Sequence, residues 1–166
     1  MENLPGGGFV LAANHVSSFD PWPLGLPLYP RWLRFMAKSE LFWWPLGAFV
    51  TAAGAFKVRR GQADREAIAT AVELVKSGEI VVMFPEGTRQ RKGLRKKHEW
   101  RPRTGAARIG WDARAPIVPA AIKGTDKLLR LGKQRVAYGK PIEPSEDVQA
   151  TTERVMDEIY RLYDAL

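Results

Sequence analysis

The chain has 166 residues, of which 45% are hydrophobic and 27% charged, as expected of one folded domain. It has no cysteine, which excludes disulfides and thiolate catalysis, and its two histidines lack metal-ligand spacing, so we expect no metal site. The net charge of +8 indicates an anionic partner such as a membrane surface, a phosphorylated small molecule or nucleic acid.

The first predicted element is a buried strand at residues 9–13, which is followed by the sequence NHVSSFDP. Asp20 and Pro21 are typical of a helix start, with Asp20 as N-cap. His15 then lies in a loop between strand and helix, and a bend there can bring it to Asp20. An imidazole oriented by a carboxylate is the arrangement of a general base, so we predict a hydrogen bond between the two side chains. The alternative is that Asp20 acts only as a cap.

Apolar patterns predict alternating strands and helices in the next part of the chain. These are a strand at 33–37, a helix at 39–54 capped by Ser39 and bent or ended near Pro45, a strand at 55–58, a helix at 63–78 and a strand at 80–84. The last of them, IVVMF, is apolar throughout, which predicts a central strand buried on both faces.

The second half continues the alternation with a helix at 104–113, a strand at 116–122, a strand at 135–139 and an amphipathic C-terminal helix. Pro119 favours an edge, a bulge or a strand end for the strand that contains it. The whole pattern predicts an α/β fold, a single domain with a mostly parallel or mixed central sheet covered by helices. Ligands of such sheets bind at loops that leave the carboxyl ends of strands.

Two further motifs carry polar residues at predicted strand ends. FPEGTR, at 84–89, makes a turn that presents Glu86, Gly87 and Arg89. GAFKVRR, at 54–60, ends in adjacent arginines that suit phosphate recognition. Each is also compatible with an exposed turn, and the basic run that follows Arg89 is compatible with a solvated loop.

Together, NHVSSFD, GAFKVRR, FPEGTR and IVPAAI resemble, in this order, the motifs of the glycerolipid (lysophospholipid) acyltransferases, typified by 1-acylglycerol-3-phosphate O-acyltransferase. The resemblance runs from about Phe9 to about Pro141. It implies a single acyltransferase domain over residues 1–166 that moves a fatty acyl group from a thioester to a lysophospholipid hydroxyl. The implied donor is acyl-CoA or acyl-carrier protein, the implied acceptor is 1-acylglycerol-3-phosphate, the product is phosphatidic acid, and no cofactor is needed.

The resemblance also implies roles for individual residues. His15 is the general base and Asp20 orients it. The substrate-binding set comprises Lys38, Arg60, Glu86, Gly87 and Arg89. Within it, we predict that the three cations converge on one anion site beside His15, where they bind the phosphate of the acceptor.

The chain departs from the family pattern at several points. Arg59 stands where many relatives have an acidic residue, and Gln90 where serine is usual, which leaves the acceptor head group open. Many relatives carry an apolar helical segment before the histidine motif, whereas 14 residues precede His15 here. We expect the chain either to lack that segment by truncation or to reach an anionic membrane by other means. Peripheral attachment to the cytoplasmic, inner face of the cell membrane is the expectation.

Aromatic residues are the candidates for such attachment, although we expect at least half of them to pack in the core. They are Trp22, Trp32, Phe35, Phe42, Trp43 and Trp44. The main alternative function is a basic module that binds nucleic acid or a membrane surface without catalysis, but it leaves His15, Asp20 and FPEGTR unexplained. A serine hydrolase would use Ser17 or Ser18, yet there is no G-x-S-x-G elbow. A P-loop is absent from the sequence as well.

Overall fold

The computed structural model describes residues 4–38, 42, 46–52, 54–58, 63–89, 101–126 and 133–166. The strands are β1 (Phe9–Ala13), β2 (Leu33–Lys38), β3 (Ala55–Val58), β4 (Ile80–Met83), β5 (Ile117–Lys123) and β6 (Arg135–Tyr138). The helices are α1 (Pro21–Gly25), α2 (Leu46–Ala52), α3 (Ala63–Lys76), α4 (Gly105–Ala113) and α5 (Val148–Ala165), and a short 3-10 helix covers Leu26–Leu28. This alternation confirms the predicted α/β fold.

The strands form one mixed sheet in the order β3-β2-β4-β1-β5-β6. The pairs among β1 to β5 are parallel, and β6 runs antiparallel to β5 at one edge. β1 therefore lies in the middle, with Val10 opposite Val81 of β4 and Ile117 of β5. As a consequence, the loops that follow the five parallel strands leave the same edge of the sheet.

Apolar side chains cover both faces of the sheet. On one face, alternate strand residues such as Val10 and Val81 pack against α3, α4 and α5. On the other face, Leu11 and Val82 pack with Leu24 of α1. Two-sided burial explains why the inner strands are apolar without a polar alternation.

β4 confirms the prediction of a central, buried strand. It lies between β1 and β2, and the exposed fractions of Ile80, Val81 and Val82 are 1%, 0% and 2%. Burial decreases toward the carboxyl end, where Met83 and Phe84 are half-buried. The predicted strand is thus one residue too long, and its last residue belongs to the loop at the edge described above.

Pro119 lies where the pairing of β5 with the segment after β6 is irregular. It is within β5, opposite Ala12 of β1, but on the other side Ala120 pairs with Tyr138 and Ile117 with Ile142, so the two residues 118–119 face the three residues 139–141. This shift of register agrees with the bulge that the sequence allowed at Pro119. The carbonyl of Pro119 accepts a hydrogen bond of 2.8 Å from the amide of Gly139. Because N and O of one strand residue point to the same side, the missing N–H of Pro119 faces the point where β6 ends. The proline consequently removes no hydrogen bond between β5 and β1.

The helix predicted at 39–54 is described only in part. α2 begins at Leu46 and ends at Ala52, and both Ser39 and Pro45 lie outside the described residues. Among the aromatic residues, Trp22 and Trp32 are 55% and 61% exposed. Phe35 and Phe42 are half-buried, whereas Trp43 and Trp44 lie outside the described residues.

Candidate active site

Polar side chains occupy three loops at the edge where the parallel strands end. Residues 14–20 follow β1, residues 84–89 follow β4, and Thr125 follows β5. Because β1 lies between β4 and β5, its loop is adjacent to both others. Open α/β sheets bind their ligands at this edge, so the candidate active site lies there.

His15 and Asp20 form the predicted hydrogen bond, with 2.7 Å between Nδ1 and Oδ2. The Asp20 side chain is fully buried, whereas 17% of the His15 side chain is exposed. The same Oδ2 accepts hydrogen bonds from the amides of Val16 and Ser17, so a donor at Nδ1 matches its other partners. With Nδ1 as that donor, Nε2 carries the lone pair that a general base requires.

Asp20 binds the loop as well as the imidazole. Its Oδ2 accepts hydrogen bonds from the amides of Val16 and Ser17, at 2.7 and 2.9 Å, and its Oδ1 accepts one from the Thr125 hydroxyl, at 2.6 Å. Within α1, which the structure describes completely, no amide donates a capping hydrogen bond to the Asp20 side chain. Asp20 occupies the predicted N-cap position, but the alternative that it acts only as a cap is wrong, because preceding amides bind its carboxylate.

The loop after β4 supports His15 from a second side. The imidazole stacks on the ring of Phe84, with 4.1 Å between centroids and an interplanar angle of 18°. The main-chain amide of His15 donates to Oε2 of Glu86 over 3.1 Å, and Glu86 is 4% exposed. Glu86 thus fixes the histidine loop, and its predicted place in the acceptor site stays a prediction.

Gly87 and Arg103 meet at the turn of FPEGTR. Gly87 has a φ of +68°, a conformation that favours glycine. A Cβ atom at Gly87 would lie 2.4 Å from Nε of Arg103, so the arginine side chain passes directly over the glycine. The amide of Arg103 also donates to the carbonyl of Pro85 over 2.8 Å. One cation of the basic run is thereby held against the motif turn.

The three cations predicted to bind phosphate are described to different extents. Arg89 is exposed and follows the same turn as Gly87. Lys38 is the last residue of β2, where its main chain pairs with Val58 of β3, so it lies at the correct edge of the sheet. Arg60 lies outside the described residues. Convergence of the three side chains on one anion site stays a prediction.

Sequence reasoning missed Asn14 and Thr125. Asn14 is 1% exposed. Its Nδ2 donates to the main-chain carbonyl of Ile122 over 2.9 Å, and its Oδ1 accepts from the main-chain amide of Ile122 over 2.7 Å. The side chain thus extends the pairing of β1 with β5 into the histidine loop. The sequence places a polar residue shortly after each of these two apolar strands, which was the available signal. It does not show that the two loops meet, because the bonded residues lie more than 100 positions apart.

α5 brings a tyrosine near the same edge. Burial raises the pKa of Tyr163, and the negative charges of Asp126, Asp164 and Glu86 raise it further. The ammonium of Lys123 lies 4.8 Å from the centroid of the Tyr163 ring, a cation–π contact. The phenol is therefore held in its neutral form at the end of β5.

The sequence model of one family, described as Acyltransferase, matches residues 1–123 of the chain. The chain belongs to this family. Its sequence is 36% identical to the 1-acyl-sn-glycerol-3-phosphate acyltransferase of Bacillus subtilis over 152 residues, which cover 87% of this chain and 72% of that protein. It is 29% identical to the protein of the same name from Streptococcus pneumoniae, with 93% of this chain and 60% of the relative covered.

A solved acyltransferase has the same fold. The crystal structure of the 1-acyl-sn-glycerophosphate (LPA) acyltransferase PlsC from Thermotoga maritima matches with a TM-score of 0.72 at 25% identity. The match covers 99% of this chain and 69% of PlsC. These findings confirm the resemblance that the four sequence motifs indicated.

Two kinds of feature are absent from the described part of this acyltransferase. In those ranges, no helix is both long and apolar enough to cross a bilayer. The same ranges contain no group of three or more histidine, aspartate and glutamate side chains that could hold a metal ion.

Proposed function

We propose that the protein transfers a fatty acyl group from an acyl thioester to the free hydroxyl of 1-acylglycerol-3-phosphate, which gives phosphatidic acid. The contact between His15 and the fully buried Asp20 is the observation that carries this proposal. The names of the relatives from Bacillus subtilis and Streptococcus pneumoniae support the same acceptor.

In the proposed reaction, Nε2 of His15 takes the proton of the acceptor hydroxyl as its oxygen attacks the thioester carbonyl. The bond from carbon to sulfur then breaks, and the leaving thiolate takes the proton from the imidazolium. Asp20 stabilises the imidazolium through Nδ1 and keeps the ring oriented. A positioned base contributes roughly 10²–10⁴-fold, so holding the two substrates in line must supply much of the remaining acceleration.

The proposed anchor for the acceptor is its phosphate, bound by Lys38, Arg60 and Arg89. Parallel strands support this assignment, since the ends of β2 and β4 lie at the edge that carries His15. Arginine and phosphate match in geometry and charge. Binding energy from this remote group can then align the attacking hydroxyl. The proposed donor is acyl-CoA or acyl-carrier protein, and the proposed chemistry requires no cofactor.

Thiol release measured with purified protein tests the proposal. The donors are one acyl-CoA and one acyl-carrier protein, and the acceptors are 1-acylglycerol-3-phosphate, glycerol-3-phosphate and lysophosphatidylcholine, with products identified by mass spectrometry. We expect phosphatidic acid to form fastest. Arg89→Ala should lower acyl transfer to 1-acylglycerol-3-phosphate and glycerol-3-phosphate more than it lowers hydrolysis of the thioester by water. Equal losses in both reactions, or no acyl transfer by the wild type, would contradict the proposal.

We further propose that the protein attaches to an anionic, cytoplasmic membrane surface through an aromatic face. This face consists of Phe19, Trp22, Leu26, Tyr29 and Trp32, which are 50–78% exposed. Trp22, Leu26, Tyr29 and Trp32 line an open cavity of about 340 Å³, and its lining includes Pro21, which follows Asp20 in the sequence. Tryptophan and tyrosine suit the headgroup region, and the net charge of +8 favours anionic lipid.

Flotation with lipid vesicles tests the attachment. The double variant Trp22→Ser/Trp32→Ser should lose most binding to phosphatidylglycerol vesicles, whereas binding of the wild type to phosphatidylcholine vesicles should be weaker from the start. Trp111→Ser is the matched control, because Trp111 is 41% exposed on α4, which packs on the opposite face of the sheet. Equal loss in the control and the double variant would refute the assignment of the aromatic face.

A further inference from the structure

We propose that Thr125 is a positioning residue of the reaction, which holds the Asp20 carboxylate in the orientation that His15 needs. The inference deepens the proposed function, since it concerns the same base, and it rests on that function for its kinetic test. Neither the motifs of the sequence nor the matched region, which ends at residue 123, includes Thr125.

The contact between Thr125 and Asp20 is short and buried. The Thr125 hydroxyl lies 2.6 Å from Oδ1 of Asp20, and the two residues are 2% and 0% exposed. An ionised carboxylate cannot donate, so the hydroxyl must be the donor. The distance is in the range of charge-assisted bonds between a hydroxyl and a carboxylate, which are about twice as strong as neutral ones.

The distribution of donors around Asp20 gives this bond its specific role. His15 Nδ1 and the amides of Val16 and Ser17 all bind Oδ2, and Thr125 binds Oδ1. The three donors on Oδ2 come from the same short loop as Asp20 itself. Thr125 comes from the end of β5, so it ties the carboxylate to the sheet and fixes rotation of the carboxylate plane. Oδ2 is thereby kept in line with the imidazole.

The backbone before Thr125 is built for this placement. Asn14 pairs with both main-chain polar groups of Ile122, which fixes the end of β5 to the start of the histidine loop. Gly124, with a φ of +93°, then turns the chain, and a Cβ atom there would lie 2.4 Å from the carbonyl oxygen of Lys133. The loop of His15 is therefore attached to β5 at two points, and only the attachment at Thr125 reaches the carboxylate.

Two variants of Thr125 distinguish a role in positioning Asp20 from a role in packing. Thr125→Val keeps the shape and loses the donor, and Thr125→Ser keeps the donor. For Thr125→Val we expect kcat to fall on the order of 10- to 100-fold, the effect of a misplaced rather than a missing group, with KM for donor and acceptor nearly unchanged. Thr125→Ser should retain most of the wild-type kcat.

Thr152→Val is the matched control. Thr152 is 3% exposed and its hydroxyl donates to the carbonyl of Val148 over 2.6 Å, in α5 and away from Asp20. This variant loses a buried hydroxyl bond, as Thr125→Val does, but should keep the wild-type kcat. A loss of kcat in Thr152→Val equal to that in Thr125→Val would overturn the proposal, because reduced stability alone would explain both.

A spectroscopic measurement tests the inference without any substrate. The chain has two histidines, so ring ¹⁵N labels give two pairs of imidazole signals, one from Nδ1 and one from Nε2 of each ring, and His98→Gln assigns the pairs. We expect the His15 ring to be protonated at Nδ1 in the wild type and in Thr125→Ser, and to become a mixture of tautomers in Thr125→Val. A wild type that shows this pattern but transfers no acyl group would refute the proposed function and leave the positioning role supported.

Three further outcomes would overturn the positioning role. One is a Thr125→Val protein with the wild-type kcat and the wild-type ring signals. Another is an equal loss in Thr125→Ser and Thr125→Val. If Thr125→Val does not fold, Thr125→Ala removes the same hydroxyl with less bulk, and failure of both to fold would assign Thr125 a structural role only.

Discussion

Replacing His15 by alanine should remove the chemistry and leave the fold intact. The variant loses the stacking contact with Phe84, and a contact between two rings stabilises the fold by about 0.5–1.5 kcal/mol. Because 17% of the His15 side chain is exposed, the space that the ring leaves opens to water, and Asp20 keeps three donors: the amides of Val16 and Ser17 and the hydroxyl of Thr125. The loss is small beside the roughly 5–15 kcal/mol that stabilises a typical domain.

The effect on turnover should be much larger. Loss of a positioned base lowers kcat by roughly 10²–10⁴-fold, which corresponds to about 3–5 kcal/mol in the activation barrier. KM for the acceptor should stay close to the wild-type value, because the cations proposed to bind its phosphate are untouched. Thiol release from acyl-CoA in the presence of 1-acylglycerol-3-phosphate measures both constants, and thermal unfolding measures the stability.

Two serine variants complete this test. Ser17→Ala and Ser18→Ala should turn over normally, since Ser17 contributes its amide, and not its hydroxyl, to Asp20. A serine hydrolase would lose its nucleophile in one of these variants. Our reasoning is refuted if His15→Ala retains wild-type turnover, or if one serine variant alone abolishes it.

Three further predictions concern stability and the turn of FPEGTR. Val82→Ala should lower the free energy of unfolding by about 1–3 kcal/mol in urea denaturation, because Val82 is 2% exposed in the central strand, and an unchanged midpoint would contradict this. Gly87→Ala and Gly78→Ala should lose similar stability, because both glycines have positive φ, but only at Gly87 would the new Cβ displace the exposed Arg103 side chain, so turnover should fall more in Gly87→Ala; equal turnover would show that this contact is unimportant. Burial raises the pKa of Tyr138, so the folded state retains a proton that the unfolded state releases above about pH 10. The hydroxyl of Tyr138 donates to a carbonyl of α1, so the wild type should be more stable than Tyr138→Phe by about 1 kcal/mol. This difference in stability should be present in full below about pH 10 and should decrease above it, which thermal unfolding at several pH values measures.

The elements that were predicted correctly are those specified by nearby residues. β1 and β4 are short apolar runs, and two-sided burial in a parallel sheet produces that pattern directly. The contact between His15 and Asp20 was also predictable, because the two residues lie in one loop and can meet without the rest of the fold.

The open alternatives and the omissions arise where the outcome depends on distant segments. Whether Pro119 lies at an edge, a bulge or a strand end depends on where β6 ends, which the sequence around Pro119 does not specify. The bond from Thr125 to Asp20 joins residues 105 positions apart, so it follows only from the order of β1 and β5 in the sheet. Asp20 is a local exception: it matched a capping pattern, but the amides of Val16 and Ser17, only four and three positions before it, bind its carboxylate instead.

The strand order explains how a small loop can hold an imidazole firmly. β1 presents His15 between two neighbours, β4 supplies the stacking ring of Phe84 and the carboxylate of Glu86, and β5 supplies Thr125. The loop after β4 constrains the ring face and the main-chain amide of His15, and the segment after β5 constrains the Asp20 carboxylate that binds Nδ1. A shift in the register of either β4 or β5 against β1 would therefore misplace one of these contacts even if the sheet stayed paired. Accuracy at the base is thus a property of β4, β1 and β5 together, the strands that the helices bury on both faces.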